Sequence, residues 1–573
     1  MRSRRVWAAA AAGVAIAVAI ASLPWGLDPD KLIDRLNDGL APAGAHWERP
    51  TSATLRLFPE PILDVYGLRL ADASGTVVFR ASTAAARLSV FGLLAGRYEV
   101  LRARVKEPIG ELDVDALIDA LPTLVRSPGH VFLQARGGQV HFKSRRFGVD
   151  ETVAPINASL GWTSGDEPCR VTFGGVWRGQ WANLDFTVDP PNEFVAGRTS
   201  DVKLSLTTSD MKASLDGALT VVGTPSYAGR VVASAASLAN SAAWLGLDVP
   251  NLPDAEGSVT GKISVAPGVL SLDDGEISFR GQKLDGSIAL QSEAGRWSAS
   301  ATLAGDQVDL SRLFGEPPPL TDEFGRWSRA PVLTSLPPFD LDMRLSAAAV
   351  NWGSASFTDA AVTLTRHEDE ATFKILEAGY AGGQLNGEVI VKDCADRCST
   401  RATLTLANAD ARALTRSFGR SVVNGVATAD LDLSAYGASP ATLIWTAEGE
   451  LALTVRDGSI EGLNFEEALR RSQRRALDVS RDLLVGQTGF RKLEGKLFFN
   501  DGVARSNDLK MSGPGVLSTA SGAIDISDRT LEARIDARQA DALGHLSPDG
   551  ASLGLRLAGP WRGPTLAAEA PSN

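Results

Sequence analysis

The sequence predicts a mostly β protein: one N-terminal transmembrane helix, then a long curved antiparallel sheet, a groove-like repeating meander with a few short helices. Three observations support this fold class. An uncharged run covers residues 6–23, directly after a basic N-terminus. After residue 50, apolar and polar residues alternate with a period of two. The 56 glycines and 29 prolines are spread along the 573 residues, and such frequent breaks favour many short strands.

The first element is a membrane anchor. Residues 1–5 are a basic tail, and the run 6–23 would be about 27 Å long as a helix, close to the ~30 Å of a bilayer core. Because basic residues stay on the cytoplasmic side, we expect a single-pass inner-membrane protein with a cytoplasmic N-terminus and a periplasmic body. A cleaved signal peptide is the alternative, since Ala19-Ile20-Ala21 loosely fits a cleavage site. The anchor residues are Val6, Trp7, Val14, Ile16, Val18, Ile20 and Leu23.

The body consists of strands with one apolar face and one polar face. A sheet of such strands must cover its apolar face by folding on itself, by packing helices on it, or by filling it with lipid. Too few helices are predicted to cover all of it. The candidate residues of the apolar face are Leu204, Leu206, Leu215, Leu219, Val389, Leu404, Leu406, Leu431, Leu433, Leu451 and Leu453.

Glycines mark the bends and turns of the meander. An apolar-x-Gly-x-apolar signature recurs, and its glycine falls on the apolar face, where it permits a bend or bulge that curves the sheet. Three Asp-Gly pairs predict hairpin turns. Several unrelated β-sandwiches in tandem remain the alternative. The signature occupies residues 215–219, 284–288, 385–389 and 493–497, and the Asp-Gly pairs are Asp274-Gly275, Asp457-Gly458 and Asp501-Gly502.

Helices and breaks are few. Apolar spacing predicts an amphipathic helix over 28–40 and further helices over 114–125, 237–247 and 464–485. The segment 315–338 is rich in proline and predicts a linker between domains.

The residue types argue against catalysis and against nucleic-acid binding. The net charge is −11, and the basic residues are dispersed, so we expect no nucleic-acid partner. The five histidines are not paired at metal-ligand spacing, and no nucleophile motif or phosphate loop is present. Two carboxylate pairs, Asp340/Asp342 and Asp430/Asp432, alternate with apolar residues and therefore belong to the wet face. We expect no catalytic, cofactor or metal site, and the protein is not expected to be an enzyme.

The three cysteines allow one candidate disulfide. Cys394 and Cys398 lie in a short connection between two strand-like runs and could close a loop in an oxidising compartment. Two free thiols are the alternative, and a zinc half-site lacks a second ligand pair. Cys169 is left unpaired.

Two blocks of sequence resemble the AsmA family of Gram-negative bacteria. The N-terminal block contains strand-like runs at 68–70 and 86–90, the turn Leu93-Leu94-Ala95-Gly96, a further strand and Pro108. The C-terminal block runs from Gly425 through 431–433, 449–451 and 457–464 to 521–525. The resemblance is to an anchored, β-rich periplasmic family related to bridge-like lipid-transfer proteins.

The resemblance implies an arrangement and a role. It places an N-terminal AsmA-like domain at 28–145, a middle β-groove region at 146–314 and a C-terminal AsmA-like β-domain at 339–573, with 315–338 as linker. It implies outer-membrane and envelope biogenesis, with acyl chains bound in an apolar β-groove and phospholipid moved between membranes. Membrane lipids, phospholipid cargo and other envelope proteins are the implied partners. The alternative is a scaffold or assembly factor that affects the targeting of outer-membrane proteins.

Overall fold

The structure is a computed structural model of the chain. It describes residues 17–28, 30, 33–34, 37, 46–71, 77–95, 99–115, 131–145, 148–163, 166–221, 224–246, 254–293, 296–314, 316–317, 319–321, 326–330, 339–392, 398–416, 423–472, 486–541, 545–547, 550–561 and 563–569. The protein is mostly β with a few short helices, as predicted. It divides into two compact units, Met1–Gly281 and Gln282–Asn573.

The first unit is an antiparallel meander from β8 to β16, preceded by a smaller group of strands. Strands β3 to β6 pair in sequence order, and β6 and β7 both pair with β8 in parallel. The strands are β1 Trp25–Gly26, β2 His46–Trp47, β3 Ser52–Arg56, β4 Ile62–Ala71, β5 Val77–Leu88, β6 Val100–Lys106, β7 Ile109–Asp113, β8 Val131–Ser144, β9 Val149–Trp162, β10 Cys169–Trp177, β11 Gln180–Asp189, β12 Ser200–Thr207, β13 Met211–Thr220, β14 Ser226–Ala235, β15 Gly257–Ala266 and β16 Val269–Phe279; the helices are α1 Val90–Leu94, α2 Pro191–Val195 and α3 Leu238–Leu245.

The second unit is a longer meander. Its strands are antiparallel neighbours in sequence order, except that β18 and β19 pair in parallel. The strands are β17 Gln282–Glu293, β18 Arg296–Asp309, β19 Asp340–Trp352, β20 Ala355–His367, β21 Glu370–Tyr380, β22 Gly383–Lys392, β23 Ser399–Asp410, β24 Val423–Tyr436, β25 Glu448–Glu461, β26 Gln487–Asn500, β27 Val503–Gly513, β28 Val516–Asp525, β29 Thr530–Gln539, β30 Ser552–Pro560 and β31 Thr565–Glu569; the helices are α4 Leu310–Phe314, α5 Ala411–Arg416, α6 Pro440–Trp445 and α7 Phe465–Ser472.

The Pro-rich segment 315–338 lies within the second unit, between β18 and β19. Parallel neighbours cannot be joined by a tight hairpin, so the chain must cross over between them. The described part of this crossover is packed: Ser328 is buried and accepts the backbone N–H of Ala441, and Trp327 donates its indole N–H to the carbonyl of Ile526 at 2.7 Å. The two compact units divide earlier, between Gly281 and Gln282.

Several predicted helices lie partly or wholly outside the described residues. Residues 17–22 are helical, but Val6, Trp7, Val14 and Ile16 of the predicted anchor are not described. From residue 17 onward, no described helix has the length and apolar character needed to span a membrane. Most of the predicted helices 28–40 and 114–125, and residues 473–485 of the predicted helix 464–485, are likewise outside the described part.

The glycine signature coincides with a distorted strand pairing. Gly387 in β22 has φ +140°, and a Cβ added there would lie 2.1 Å from the carbonyl oxygen of Thr403 in β23. Gly387 pairs with Ile375, at which the β21–β22 register shifts. Only a glycine therefore allows the neighbouring backbone to approach this closely, as the signature predicted for a bulge.

Two of the three Asp-Gly turn predictions are wrong. Asp274 lies inside β16 and Asp457 inside β25, each with positive φ and each beside a register shift. They form β-bulges within continuous strands, because a left-handed Asp followed by Gly suits a bulge as well as a turn. Asp501-Gly502 does form the turn between β26 and β27.

The predicted helix 237–247 is observed as α3 and is fixed to a hairpin by one tryptophan. The hydroxyl of Ser237 accepts the backbone N–H of Asn240 and caps the helix. Trp244 is buried, its ring centroid lies 4.8 Å from that of Trp177, and its indole N–H donates to the Trp177 carbonyl at 2.9 Å. Arg178 donates to the Trp244 carbonyl at 2.8 Å, which closes the contact.

We predict that Trp244→Ala locally unfolds this contact, with a loss of about 3–5 kcal/mol, because a buried aromatic ring and its hydrogen bond are removed together. Hydrogen exchange of peptides from β10 and β11 measures the effect. The control is Leu245→Ala, which removes an exposed side chain from the same helix. Equal protection in the two variants would show that Trp244 does not fix α3.

A second prediction concerns Glu151, which accepts hydrogen bonds from Nε and Nη2 of Arg178 at 2.9 and 2.6 Å. These bonds hold the pKa of Glu151 below its ordinary value. The pair therefore stabilises the fold above the ordinary glutamate pKa of about 4.3, and this contribution disappears as pH falls through the lowered native pKa. We expect Glu151→Gln to destabilise the fold slightly, by under about 1 kcal/mol, at pH 7 and less as the solution is acidified. Urea titrations at pH 7 and in acid test this.

Candidate functional site

The second unit carries a continuous apolar face from β18 to β26. Residues paired across neighbouring strands share one face of a sheet, so the strand register decides which side chains lie together. Two adjacent rows of paired residues cross all these strands and contain only apolar side chains and glycine. The first row is Ala301, Met343, Leu364, Phe373, Val389, Ala402, Leu433, Gly449 and Phe499, and the second is Leu303, Leu345, Val362, Ile375, Gly387, Leu404, Leu431, Leu451 and Leu497.

At ~4.8 Å per strand these rows extend about 40 Å across the sheet. We call their residues the unit-2 apolar face. A bilayer core is ~30 Å thick, so one leaflet contributes roughly half of that. The face is therefore longer than a single acyl chain.

The opposite face of the same strands is polar and ion-paired. Arg401 lies 3.0 Å from Asp432, and Lys496 lies 3.4 Å from Glu450. The hydroxyl of Thr405 donates to Asp430 at 2.9 Å. The carboxylates Asp430 and Asp432 are thus partners in cross-strand pairs on the wet face.

Asp340 likewise lies beside basic side chains. Its carboxylate oxygens lie 3.9 Å from Nη1 of Arg366 and 3.5 Å from Nδ1 of His367. The described residues contain no group of His, Cys, Asp or Glu side chains that could hold a metal ion.

The first unit has an equivalent face of its own, from β9 to β14. One row of paired residues is Leu160, Val171, Phe186, Leu204, Leu215 and Val231, and the next is Ala158, Phe173, Leu184, Leu206, Ala213 and Ala233. Charged residues occupy the reverse side, where Arg170 pairs with Asp185 and Lys203 lies 3.2 Å from Asp216. We call the two rows the unit-1 apolar face.

Eight of the eleven predicted apolar residues belong to these two faces, and the other three, Leu219, Leu406 and Leu453, lie on the same side of their strands outside the two rows. In the first unit Leu204 pairs with Leu215, and Leu219 pairs with Tyr227. In the second unit Leu431 pairs with Leu404 on one side and Leu451 on the other. Prediction missed the aromatic members Phe173, Phe186 and Phe373, and also Met343, Leu345 and Leu364. The alternation in 341–345 was visible in the sequence and could have identified Met343 and Leu345.

The two apolar faces are only partly buried. All eleven predicted residues are partly buried, with none in the core, and Phe373 is 40% exposed. The described helices of the second unit pack at the margins of its face: α4 beside β19, α5 and α6 beside β24, and α7 on β26, β29 and β30. Among described residues, no helix is in extensive contact with the central strands β20, β21 and β22.

A dry core does form beneath α7. Phe465 and Leu469 are each 2% exposed, and they pack with Val455, Met511 and Leu555. Leu453, predicted to line the open face, packs against this cluster at the margin. The contrast shows that the same sheet is sealed where a helix covers it and partly exposed where none does.

The described cysteines, Cys398 and Cys169, differ in their chemical state. Cys398 is buried and disulfide-bonded, whereas its predicted partner Cys394 lies outside the described residues. Cys169 is free, and burial raises the pKa of its thiol, which makes it less reactive at neutral pH.

Part of the second unit is similar in sequence to known proteins. Residues 316–509 match the AsmA family model. The chain is also 24% identical over 223 residues to Protein AsmA of Escherichia coli (strain K12), a match that covers 36% of this chain and 34% of that protein. The chain thus spans about a third of the length of this curated relative. No solved structure matches. The predicted resemblance to the AsmA family is confirmed, and the family match includes most of the unit-2 apolar face.

We predict that a Leu→Ala substitution lowers the stability of the fold less on the unit-2 apolar face than in the core beneath α7. Leu469→Ala should cost about 2–5 kcal/mol because it leaves a cavity in a dry core. Leu404→Ala should cost clearly less, since Leu404 is partly exposed and its site can fill with solvent. Urea unfolding of the two variants measures the difference. An equal loss of stability would mean that Leu404 is covered.

Proposed function

Since residues 316–509 carry AsmA-family sequence, we propose that the chain is an inner-membrane-anchored periplasmic protein of envelope biogenesis. In this proposal the unit-1 and unit-2 apolar faces bind lipid acyl chains, and the protein assists phospholipid transport between membranes. The observation that carries the proposal is the pair of in-register apolar rows from β18 to β26, whose central strands β20 to β22 have no described helix in extensive contact with them.

The physical argument starts from the cost of exposing such a face to water. Each square ångström of apolar surface left in water forgoes roughly 25 cal/mol, and monomeric soluble proteins rarely expose contiguous apolar patches above a few hundred Å². An acyl chain would remove this surface from water without needing a specific polar partner. The hydrophobic contact is non-directional, so a bound chain can shift along the rows at little cost.

This activity requires no reactive group. The nearby carboxylates Asp430 and Asp432 sit on the reverse face in cross-strand pairs, and they have no access to a chain held on the apolar side. The ion-paired face would remain in water while the apolar face holds lipid. An amphipathic sheet of this kind supports transport rather than catalysis.

Two features of the chain support a periplasmic location of the body. The basic tail 1–5 and the uncharged run 6–23 predict an anchor with the body on the far side of the membrane. A disulfide at Cys398 is typical of an oxidising compartment such as the periplasm. AsmA-family similarity agrees with an envelope protein.

A scaffold or assembly role is the second candidate, and one observation favours it. Strand β31, Thr565–Glu569, pairs only with β30 among the described residues, which leaves an edge that could accept a strand of a client protein. That role would use the sheet edge and leave the apolar faces unoccupied by lipid.

Site-specific photo-crosslinking in cells separates the two roles. A photoreactive amino acid at Leu404 should crosslink to lipid, because this side chain belongs to the unit-2 apolar face. The matched control is Thr403, the preceding residue of the same strand, whose exposed side chain lies on the reverse face beside Asp432. Lipid adducts at Leu404 and none at Thr403 support the proposal. Protein adducts alone, or equal lipid labelling at both positions, would overturn it.

A charged substitution on the unit-2 apolar face provides a second test. Leu404→Arg places a charge in the path of an acyl chain and should abolish lipid adducts captured at the neighbouring Leu431, whereas Thr403→Arg should leave them unchanged. Proper folding of both variants is checked by protease resistance of the full chain.

A further inference from the structure

The first strands of the first unit carry at one end a group of exposed apolar side chains that do not belong to the unit-1 apolar face. In α1, Phe91 is 84% exposed and Leu94 is 80% exposed, and Val90 is also exposed. Phe91 and Leu94 are three residues apart, so they lie on one side of the helix. A phenylalanine and a leucine this exposed mark a contact surface when they cluster with others.

The helix that carries them is held in place. The hydroxyl of Ser89 accepts the backbone N–H of Gly92 at 3.1 Å and caps the helix. Leu93 packs against the buried cluster that includes Leu63 and Leu88. Because Leu93 is fixed inward, Phe91 and Leu94 are directed away from the sheet.

A second loop lies at the same end of the sheet. Arg56 at the end of β3 pairs with Ile62 at the start of β4, and Ile62 pairs with Arg87 near the end of β5. The loops after β3 and after β5 are therefore neighbours, and the backbone N–H of Leu88 donates to the carbonyl of Pro61 at 2.9 Å. The first of these loops exposes two more large apolar side chains, Leu57 and Phe58.

The end of the predicted anchor meets this loop directly. The backbone N–H groups of Leu57 and Phe58 donate to the carbonyl of Ala21 at 3.0 and 2.9 Å. Ala21 belongs to the helical residues 17–22, within the uncharged run 6–23. Just beyond it, Trp25 pairs with Leu55 of β3 and is half exposed. The exposed side chains of Trp25, Leu57, Phe58, Val90, Phe91 and Leu94 together form what we call the apolar rim.

We propose that the apolar rim inserts into the interfacial region of the lipid bilayer that holds the anchor, in the leaflet facing the body. This inference rests on the anchor in the proposed function and adds a second membrane contact. The partner is a bilayer surface, because the anchor proposed for the run 6–23 would lie in that bilayer. Ala21, near the end of this run, contacts the loop that carries Leu57 and Phe58. Tryptophan and phenylalanine are residues that favour the membrane interface, where an apolar ring can be buried.

The charge pattern indicates how the rim binds. Two ion pairs lie beside it: Arg56 lies 3.1 Å from Asp64, and Arg87 lies 2.8 Å from Glu60. Insertion would therefore depend on apolar burial, and it should be insensitive to salt and to the fraction of anionic lipid. It would also fix the first strands of the body against the leaflet from which lipid is taken.

The test uses the full chain in phosphatidylcholine vesicles. With Cys169→Ser as background, an environment-sensitive fluorophore is attached at Phe91→Cys, and at Val232→Cys as control. Val232 is an exposed apolar residue of β14, on the reverse of the unit-1 apolar face. We expect the label at position 91, but not at 232, to show blue-shifted emission and quenching by spin-labelled lipid, unchanged by 0.5 M salt (roughly a Debye length of 4 Å).

The outcomes separate the rim from the rest of the proposal. A solvent-like label at 91 in protein that resists alkaline extraction would overturn the rim while leaving the anchor intact. Blue-shifted emission without quenching by spin-labelled lipid would indicate a protein partner and would also overturn it. Quenching at 91 supports the rim even if lipid crosslinking at Leu404 fails, because the two measurements report different surfaces.

Discussion

The structure depends on one constraint, the cross-strand register that keeps apolar side chains on the same face from one strand to the next. Successive residues of a strand point to opposite faces, so a shift of one residue would place Leu404 among the charged side chains around Asp432. The bulges at Asp274 and Asp457 absorb an extra residue without losing this order. Hairpins join most neighbouring strands, which makes the register local and repeatable.

The same constraint creates a face that the chain itself does not fully cover. Where α7 packs on β29 and β30, Phe465 and Leu469 reach almost complete burial. Between the marginal helices the rows through Leu431 stay partly buried. A face of this length, sealed at its margins and ion-paired on its reverse, suits a ligand made of hydrocarbon. The segment that matches the AsmA family model includes most of this part of the sheet.

The apolar rim and the apolar faces differ in how their side chains are exposed. Leucines of the faces shield one another within a row, whereas Phe91 and Leu94 stand free of the sheet on a capped helix. The first arrangement suits a chain held along the sheet, and the second suits shallow insertion into a surface. The hydrogen bonds from Leu57 and Phe58 to Ala21 place the rim beside the predicted anchor.

The sequence alone determined the mostly β class and the separation of apolar from polar side chains, because period-two alternation depends only on the backbone of a strand. It carried the family resemblance as well. It also located α3, whose cap and apolar spacing are local signals. Tertiary structure decided the rest. Asp-Gly pairs fit both turns and bulges, so pairing with β15 and β24 decided between them at Asp274 and Asp457. The run Val90–Leu94 has the composition of a core segment, and only the packing of Leu93 left Phe91 outside. Burial and exposure depend on which distant strands and helices come into contact, and the local sequence does not specify those contacts.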